Sequence, residues 1–209
     1  MKYITHTLSL VGGLIAVSLL CPSASAQNLI INGGFESPLA GNWNTFGNAF
    51  LSAGGPTPHG GVEEAKLYGT FPGTSGFYQP FVAAPGDAFD ANGWGQNWSG
   101  DQMQASNEGF IRVTFFNASN VEIAGGGANS GFINLSTPTN TWEPLNITDV
   151  VAPTGTAYGQ VYLLFTQPGT NGGSAWFDDI SVTAAPEPMT MLGLTVGVVA
   201  LLKRRRAKA

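Results

Sequence analysis

The stretch SAWFDDISVT, residues 174–183, decides the class of fold that this 209-residue chain can adopt. Its aromatic and β-branched residues are typical of a strand, in which successive side chains point to opposite faces of the sheet. Regular alternation places Asp178 on the same face as Ile180 and Val182, which suit a core. Because an unpaired carboxylate is very costly to bury, Asp178 must be paired or bound to a cation, unless the strand bulges or ends there and leaves both aspartates in water.

The same pattern of short apolar or alternating runs extends from this stretch back to residue 28. Clusters rich in Gly, Pro and Asn separate the runs, as in GGPTPHGG at 54–61 and QPGTNGG at 167–173. No segment between them keeps the 3.6-residue period of an amphipathic helix. We therefore predict an all-β domain, a two-sheet antiparallel β-sandwich over 27–183. The runs lie at 28–31, 64–68, 76–82, 87–94, 109–116, 143–151, 157–166 and 174–183.

Both ends of the chain have the composition of targeting segments. Residues 1–26 combine a charged start, an apolar run and Ala24-Ser25-Ala26, as in a signal peptide cleaved before Gln27. Residues 184–209 contain a short apolar run, 189–202, that ends in a basic cluster. As a helix this run spans about 21 Å, less than the hydrocarbon core of about 30 Å. We expect a short hydrophobic helix at each end and a transient membrane anchor at the second; an ordinary C-terminal anchor is the alternative.

Composition excludes several classes of function. The region 27–185 has two cations, Lys66 and Arg112, and twelve acidic residues, so its net charge is 2 − 12 = −10. Such a surface repels phosphate backbones, and we expect no nucleic-acid partner. The region has no cysteine and one histidine, His59, which excludes the usual zinc sites and a disulfide framework. Its carboxylates could form a glycosidase pair, but nothing forces two of them together, so we expect no enzyme.

Four segments that occur in order resemble a known family: NLIINGGFESP at 28–38, SGFYQPFVAAPGD at 75–87, TWEPLNITDVVAPTGTAYGQVYLLF at 141–165 and AWFDDISV at 175–182. Together they are similar to the carbohydrate-binding modules of families 4, 9 and 22. The resemblance implies a galactose-binding-like jelly roll that binds glycans without catalysis. It also implies a structural calcium ion, held by the carbonyl of Gly34 and the carboxylates of Glu36 and Asp178, with further backbone ligands near 61–64.

The alternation of three strands predicts where a glycan would bind. Apolar residues suited to a core alternate with polar and aromatic ones in DAFDANGW, GFIRVTFF and YGQVYLLF. If these strands share a sheet, one outer face carries rings that can stack on sugars and polar groups that match hydroxyls. The alternative is an ordinary solvated sheet face, and Trp142 and Trp176 are expected to be packing residues. The candidate glycan-binding residues are Asp90, Asn92, Trp94, Arg112, Gln160 and Tyr162.

The last 26 residues resemble a PEP-CTERM sorting signal, which consists of a Pro-Glu-Pro motif, an apolar run and an arginine cluster. The matching residues are Pro186, Glu187, Pro188, Arg204, Arg205 and Arg206. The resemblance implies processing by an exosortase in a Gram-negative bacterium that makes exopolysaccharide, with transient anchoring in the inner membrane. We therefore expect an exported protein of the cell surface or extracellular matrix that binds an extracellular polysaccharide. The alternatives are a structural matrix protein without a specific glycan pocket and, more remotely, a glycoside hydrolase.

Overall fold

The computed structural model describes residues 27–52, 54–69 and 72–185. The predicted signal peptide 1–26 and the sorting motif that starts at Pro186 lie outside the described residues. No helix in the described part of the chain is long and apolar enough to cross a membrane. In these ranges the chain forms eleven strands: β1 Asn44–Phe46, β2 Asn48–Ser52, β3 Glu64–Tyr68, β4 Gly73–Phe81, β5 Ala88–Gln96, β6 Glu108–Phe116, β7 Ala128–Asn129, β8 Ile133–Asn134, β9 Trp142–Val151, β10 Tyr158–Gln167 and β11 Ser174–Ala184.

The strands form two antiparallel sheets, as predicted for a β-sandwich. The six-stranded sheet has the order β1-β4-β10-β6-β7, and β8 also pairs with β6. The five-stranded sheet has the order β2-β3-β11-β5-β9. Apart from the consecutive pairs β2–β3 and β6–β7, most neighbours in both sheets are far apart in the chain, as in a jelly roll.

The core lies between the sheets and follows the predicted alternation. On β5, β6 and β10 every second residue is apolar and almost completely buried. The side chains between them point away from the core, so the inner and outer faces of these strands were correctly predicted. The core residues of the three strands are Phe89, Ala91, Ile111, Val113, Phe115, Val161, Leu163 and Phe165.

The predicted strand at 28–31 does not form. The Asn28 side chain accepts a hydrogen bond from the Val182 amide, and the Leu29 amide donates to the Val182 carbonyl, so this segment lies along β11. It then turns at Asn32, whose φ is +56°. The short strands β1 and β2 were missed, because exposed edge strands carry little of the apolar pattern that marks a buried strand.

The last strand contains a β-bulge at its two aspartates. Asp178 pairs with Trp94 and Ser181 with Asn92, so β11 has one residue more than β5 in this interval, and Asp179 has a φ of +49°. The bulge reverses the alternation: Phe177 and Ile180 both face the core, whereas Asp178 faces the other side. The prediction that Asp178 shares the face of Ile180 and Val182 was therefore wrong.

Candidate functional site

A row of polar and aromatic side chains crosses the outer face of the six-stranded sheet. The strand register aligns five residues from five strands, and the Tyr78 and Tyr162 rings at its centre have centroids 5.7 Å apart. We call this row the tyrosine platform. It consists of Asn44, Tyr78, Tyr162, Arg112 and Asn129.

An ion pair fixes the polar end of the tyrosine platform. The Arg112 Nη2 atom lies 2.7 Å from Glu122 Oε1, and its Nη1 atom donates to Asn129 Oδ1 at 3.1 Å. Burial raises the pKa of Glu122, but the hydrogen bonds from Arg112 and Thr114 and the charge of Arg112 outweigh this effect and lower the pKa. Burial and then the Glu122 charge raise the pKa of Tyr162, which therefore keeps its phenolic proton as a donor. At neutral pH the row presents amides, phenols and a guanidinium, and hydrogen bonds hold the guanidinium and the Asn129 amide in place.

Phe46 extends the platform along its edge strand. Its ring lies 6.4 Å from that of Tyr78 and covers Gly76, where an added Cβ would come within 2.6 Å of the Phe46 ring. Sequence reasoning missed Phe46, Asn44, Tyr78 and Asn129. Tyr78 was within reach, because Phe77 and Phe81 alternate toward the core and leave Tyr78 on the outer face.

The six predicted glycan-binding residues do not form one face. Strand β5 lies in the five-stranded sheet, whereas β6 and β10 lie in the six-stranded sheet, so the assumption that they share a sheet was wrong. Arg112, Gln160 and Tyr162 are on the six-stranded sheet, although Gln160 is only 7% exposed. Asp90, Asn92 and Trp94 are on the other sheet. There, Asp90 Oδ1 accepts a hydrogen bond from the Asp149 amide at 2.8 Å.

Trp94 does not present an open ring. The imidazole of His59 stacks on it, with centroids 4.1 Å apart and planes at 16°. The Nδ1 atom of this imidazole lies 2.7 Å from Asp179 Oδ2, within hydrogen-bond distance. A sugar could stack on this side of Trp94 only by displacing His59, so Trp94 serves as a support for the loop 54–62.

The loop 60–63 connects the predicted calcium ligands. The amides of Val62 and Glu63 donate to Glu36 Oε1 at 2.8 and 3.1 Å, and the Gly60 amide donates to Asp178 Oδ2 at 2.9 Å. The aspartate that Gly34 approaches is Asp179, since a Cβ added to Gly34 would lie 3.3 Å from Asp179 Oδ1. The bulge thus brings a second, unpredicted aspartate to this region.

The acidic region beside the loop 60–63 also contains a fully buried glutamate, Glu64. Ala65 and Phe177 are the last pair between β3 and β11, and Glu64 and Asp178 are the next residues beyond this pair on their strands. Both side chains are 0% exposed, and neither Glu64 oxygen has a hydrogen-bond partner in the described chain. Burial, then the charge of Asp178, raises the pKa of Glu64 to about 7; burial also raises the pKa of Asp178 to about 6.

These carboxylates fit a hard cation only with help from the backbone. Among residues 27–52, 54–69 and 72–185, no three Asp, Glu, His or Cys side chains are arranged to hold a metal ion. Calcium takes six to eight oxygen ligands, so carbonyls such as that of Gly34 would have to complete its shell. The unpartnered oxygens of Glu64 beside Asp178 are the observation that fits a bound cation, because such a charge would satisfy both groups.

The fold is shared with carbohydrate-binding modules and with an enzyme domain. No protein-family model and no curated protein matches the chain significantly. The structure of TmCBM61 in complex with beta-1,4-galactotriose matches with a TM-score of 0.54 and 13% identity, over 77% of this chain and 100% of that one. The CBM22-1 xylan-binding domain of Paenibacillus barcinonensis Xyn10C matches with a TM-score of 0.56 and 11% identity, over 78% and 97%.

The enzymatically active domain of tailspike protein 4 from bacteriophage CBA120 matches with a TM-score of 0.55 and 17% identity, over 76% of this chain. This chain spans only 21% of that domain. At these identities the likeness establishes the jelly-roll fold, and the fold by itself fixes no function. Function must be argued from the surfaces of this chain.

Proposed function

We propose that this protein is a non-catalytic glycan-binding module whose ligand lies across the tyrosine platform. The observation that carries the proposal is the row in which Tyr78 and Tyr162 stand between amides and the Arg112 guanidinium. Sugar rings have apolar C–H faces that stack on aromatic rings, and hydroxyl edges that pair with amide and guanidinium groups. Aromatic surface with a few fixed polar groups is the usual composition of a ligand site.

The shape of the platform favours a length of polysaccharide over a single sugar. The row crosses five strands that lie about 4.8 Å apart, which gives a length of roughly 19 Å. It is open, and no catalytic pair of carboxylates stands on it: its carboxylate, Glu122, is bound to Arg112 and Thr114. The structural matches to modules solved with galactotriose or described as xylan-binding support a polysaccharide ligand.

Binding to a glycan array tests this proposal. We expect Tyr162→Ala to weaken glycan binding about five- to a hundredfold, taking the stacking of bases on aromatic side chains as the guide to magnitude. Tyr78→Ala should act in the same direction. Tyr68→Ala is the matched control, because Tyr68 is an exposed tyrosine on the other sheet and should bind as wild type does. If Tyr162→Ala left the binding of every glycan on the array unchanged, the platform would be ruled out, and a wild type that binds no glycan would favour the structural matrix protein.

We also propose a structural calcium ion between the loop 60–63 and the bulge of β11, held by Gly34, Glu36 and Asp178 with Glu64 beside them. The ion would supply the positive charge that these buried carboxylates lack and would tie three segments of the chain together. Its role is stability, because none of these residues is on the tyrosine platform.

Finally, we propose that the protein is exported and sorted by its C-terminal signal, with an exosortase-type enzyme as its processing partner. The Pro-Glu-Pro motif, the 189–202 run and the arginine cluster support this proposal. The module would then reach the cell surface or extracellular matrix, where polysaccharide ligands occur.

A further inference from the structure

A groove of about 430 Å³ opens on the side of the sandwich opposite to the tyrosine platform. Three loops form it: residues 56–59, residues 98–99 after β5, and residues 140–142 at the start of β9. Its floor is Gln96, which pairs with Trp142 and Trp176 on the outer face of the five-stranded sheet. We call it the tryptophan groove.

Hydrogen bonds between the loops hold the groove open. The Trp142 Nε1 atom donates to the Thr57 carbonyl at 3.0 Å, which joins the first loop to the third. The Ser99 amide donates to Asn140 Oδ1 at 3.0 Å, and the Asn140 amide donates to the Asn97 carbonyl at 3.0 Å. The groove is therefore a preformed concave site.

Two partly exposed tryptophans form its walls. Trp98 is held edge-on by the buried Trp176, with centroids 5.5 Å apart at 82°. Trp142 is held by the His59 ring, 6.0 Å away at 79°. Supported indole rings that stay partly in solvent are suited to stacking on a flat apolar surface.

The polar groups of the groove point to a neutral, hydroxyl-bearing ligand. Gln96 is 2% exposed, and its Oε1 atom has no hydrogen-bond partner among the described residues. The free energy that this acceptor loses on leaving water is therefore not recovered within the described chain, and a hydroxyl donor from a ligand would recover it. Ser99 and Asn140 are exposed at the rim. The groove is lined by no Asp, Glu, Lys or Arg, which leaves His59 as its titratable group.

We propose that the tryptophan groove is a second carbohydrate site, which binds a short stretch or an end of a neutral glycan independently of the tyrosine platform. Given the proposed function of the platform, one molecule would bind two glycan segments on opposite faces of the sandwich. Such a bivalent module can bridge polysaccharide chains and gains avidity on a surface that carries many of them.

The experiment uses a glycan array of neutral oligosaccharides that includes beta-1,4-galactotriose and xylo-oligosaccharides, probed with the purified protein and its variants. Ser99→Arg fills the groove from an exposed rim position without touching the core. Ser119→Arg is the matched control, with the same change in an exposed loop outside the groove. Tyr162→Ala reports on the platform.

We expect a set of glycans whose binding falls at least tenfold in Ser99→Arg and stays within twofold of wild type in Ser119→Arg and Tyr162→Ala. This result would establish the groove even if Tyr162→Ala changed nothing, in which case the platform alone would be refuted. If Ser99→Arg weakens the binding of no glycan on the array, the groove is overturned, as it is by a wild type that binds nothing on the array.

Discussion

Among single residues, Glu64 is a buried carboxyl group whose ionisation is opposed by its surroundings. It is fully buried, its oxygens are unpartnered, and Asp178 lies on the neighbouring strand β11. A raised carboxyl pKa means that the folded state binds the proton more tightly than the unfolded state does. The pair therefore stabilises the metal-free fold at low pH, and this contribution is lost as the pH rises.

We predict that the metal-free protein loses stability between about pH 4 and 7 through these groups. The contribution of Glu64 is complete below its ordinary pKa of 4.5 and disappears as the pH passes its folded value of about 7. Glutamine has no charge at pH 8, whereas the buried Glu64 carboxyl group is ionised there. In the presence of chelator, Glu64→Gln should therefore raise the free energy of unfolding at pH 8 by roughly 1–3 kcal/mol. Urea unfolding at pH 5 and pH 8 measures this, and Glu63→Gln, which changes the partly exposed neighbour, is the control. Equal pH dependence in Glu64→Gln and wild type would show that Glu64 is not the responsible group.

Calcium should replace those protons at neutral pH. An ion bound only by the folded state at a hundredfold excess over its dissociation constant stabilises it by about 2.7 kcal/mol. For a domain of this size, chelation would then lower the melting temperature by about 5–10 °C. Glu36→Gln or Asp178→Asn should abolish the response to chelator in a calorimetric melt, whereas Asp87→Asn, at a distant turn, should keep it. A melting curve that excess chelator leaves unchanged would refute the site.

Among the elements, β11 does the most to organise the molecule. Its bulge sends Asp178 and Asp179 to the loop 54–62 while Phe177 and Ile180 both stay in the core. The N-terminal segment lies against the same place, because the Ile180 amide donates to the Gly33 carbonyl at 2.9 Å. The bulge thus joins the sheet, the N-terminal segment and the acidic loop.

That junction leaves no space for a side chain at Gly33. A Cβ there would collide with the Ile180 carbonyl, which belongs to the backbone and cannot rotate away. Gly33→Ala should therefore destabilise the protein by about 1–3 kcal/mol or more, as overpacking does. Gly131→Ala is the control, since a Cβ at Gly131 meets nothing within 4 Å. Chemical denaturation compares the two; equal stability would mean that the N-terminal segment does not pack on the bulge.

At the scale of the whole molecule, charge and the two faces define the kind of ligand. Both cations of the region 27–185 are in ion pairs, Lys66 with Asp101 and Arg112 with Glu122. With a net charge of −10, this region has no surplus positive charge to attract an acidic polysaccharide. Neutral glycans are the ligands that both proposed faces fit.

We expect the mature protein to lack everything after the Pro-Glu-Pro region, because the 189–202 run is too short for a comfortable permanent span. Intact-mass spectrometry of the protein isolated from its native host tests this. A terminus that still ends in Ala209 would contradict processing.

The fold class, most strand positions and the inner faces of β5, β6 and β10 could be predicted from the sequence. These depend on local alternation, which any strand with one face in a core must keep. The resemblance to carbohydrate-binding modules also pointed to Glu36 and Asp178 as calcium ligands, and that role stays a prediction.

The sheet to which each strand belongs could be read only from the folded chain. Alternation tells which residues face outward but not which sheet a strand joins, so Asp90, Asn92 and Trp94 were grouped with Arg112 and Tyr162 across the core. Alternation also fails at a β-bulge. The left-handed backbone at Asp179 places Asp178 and Ile180 on opposite faces of β11. The tyrosine platform and the tryptophan groove depend on contacts between strands and loops distant in the chain, and those exist only once the strands of each sheet have paired.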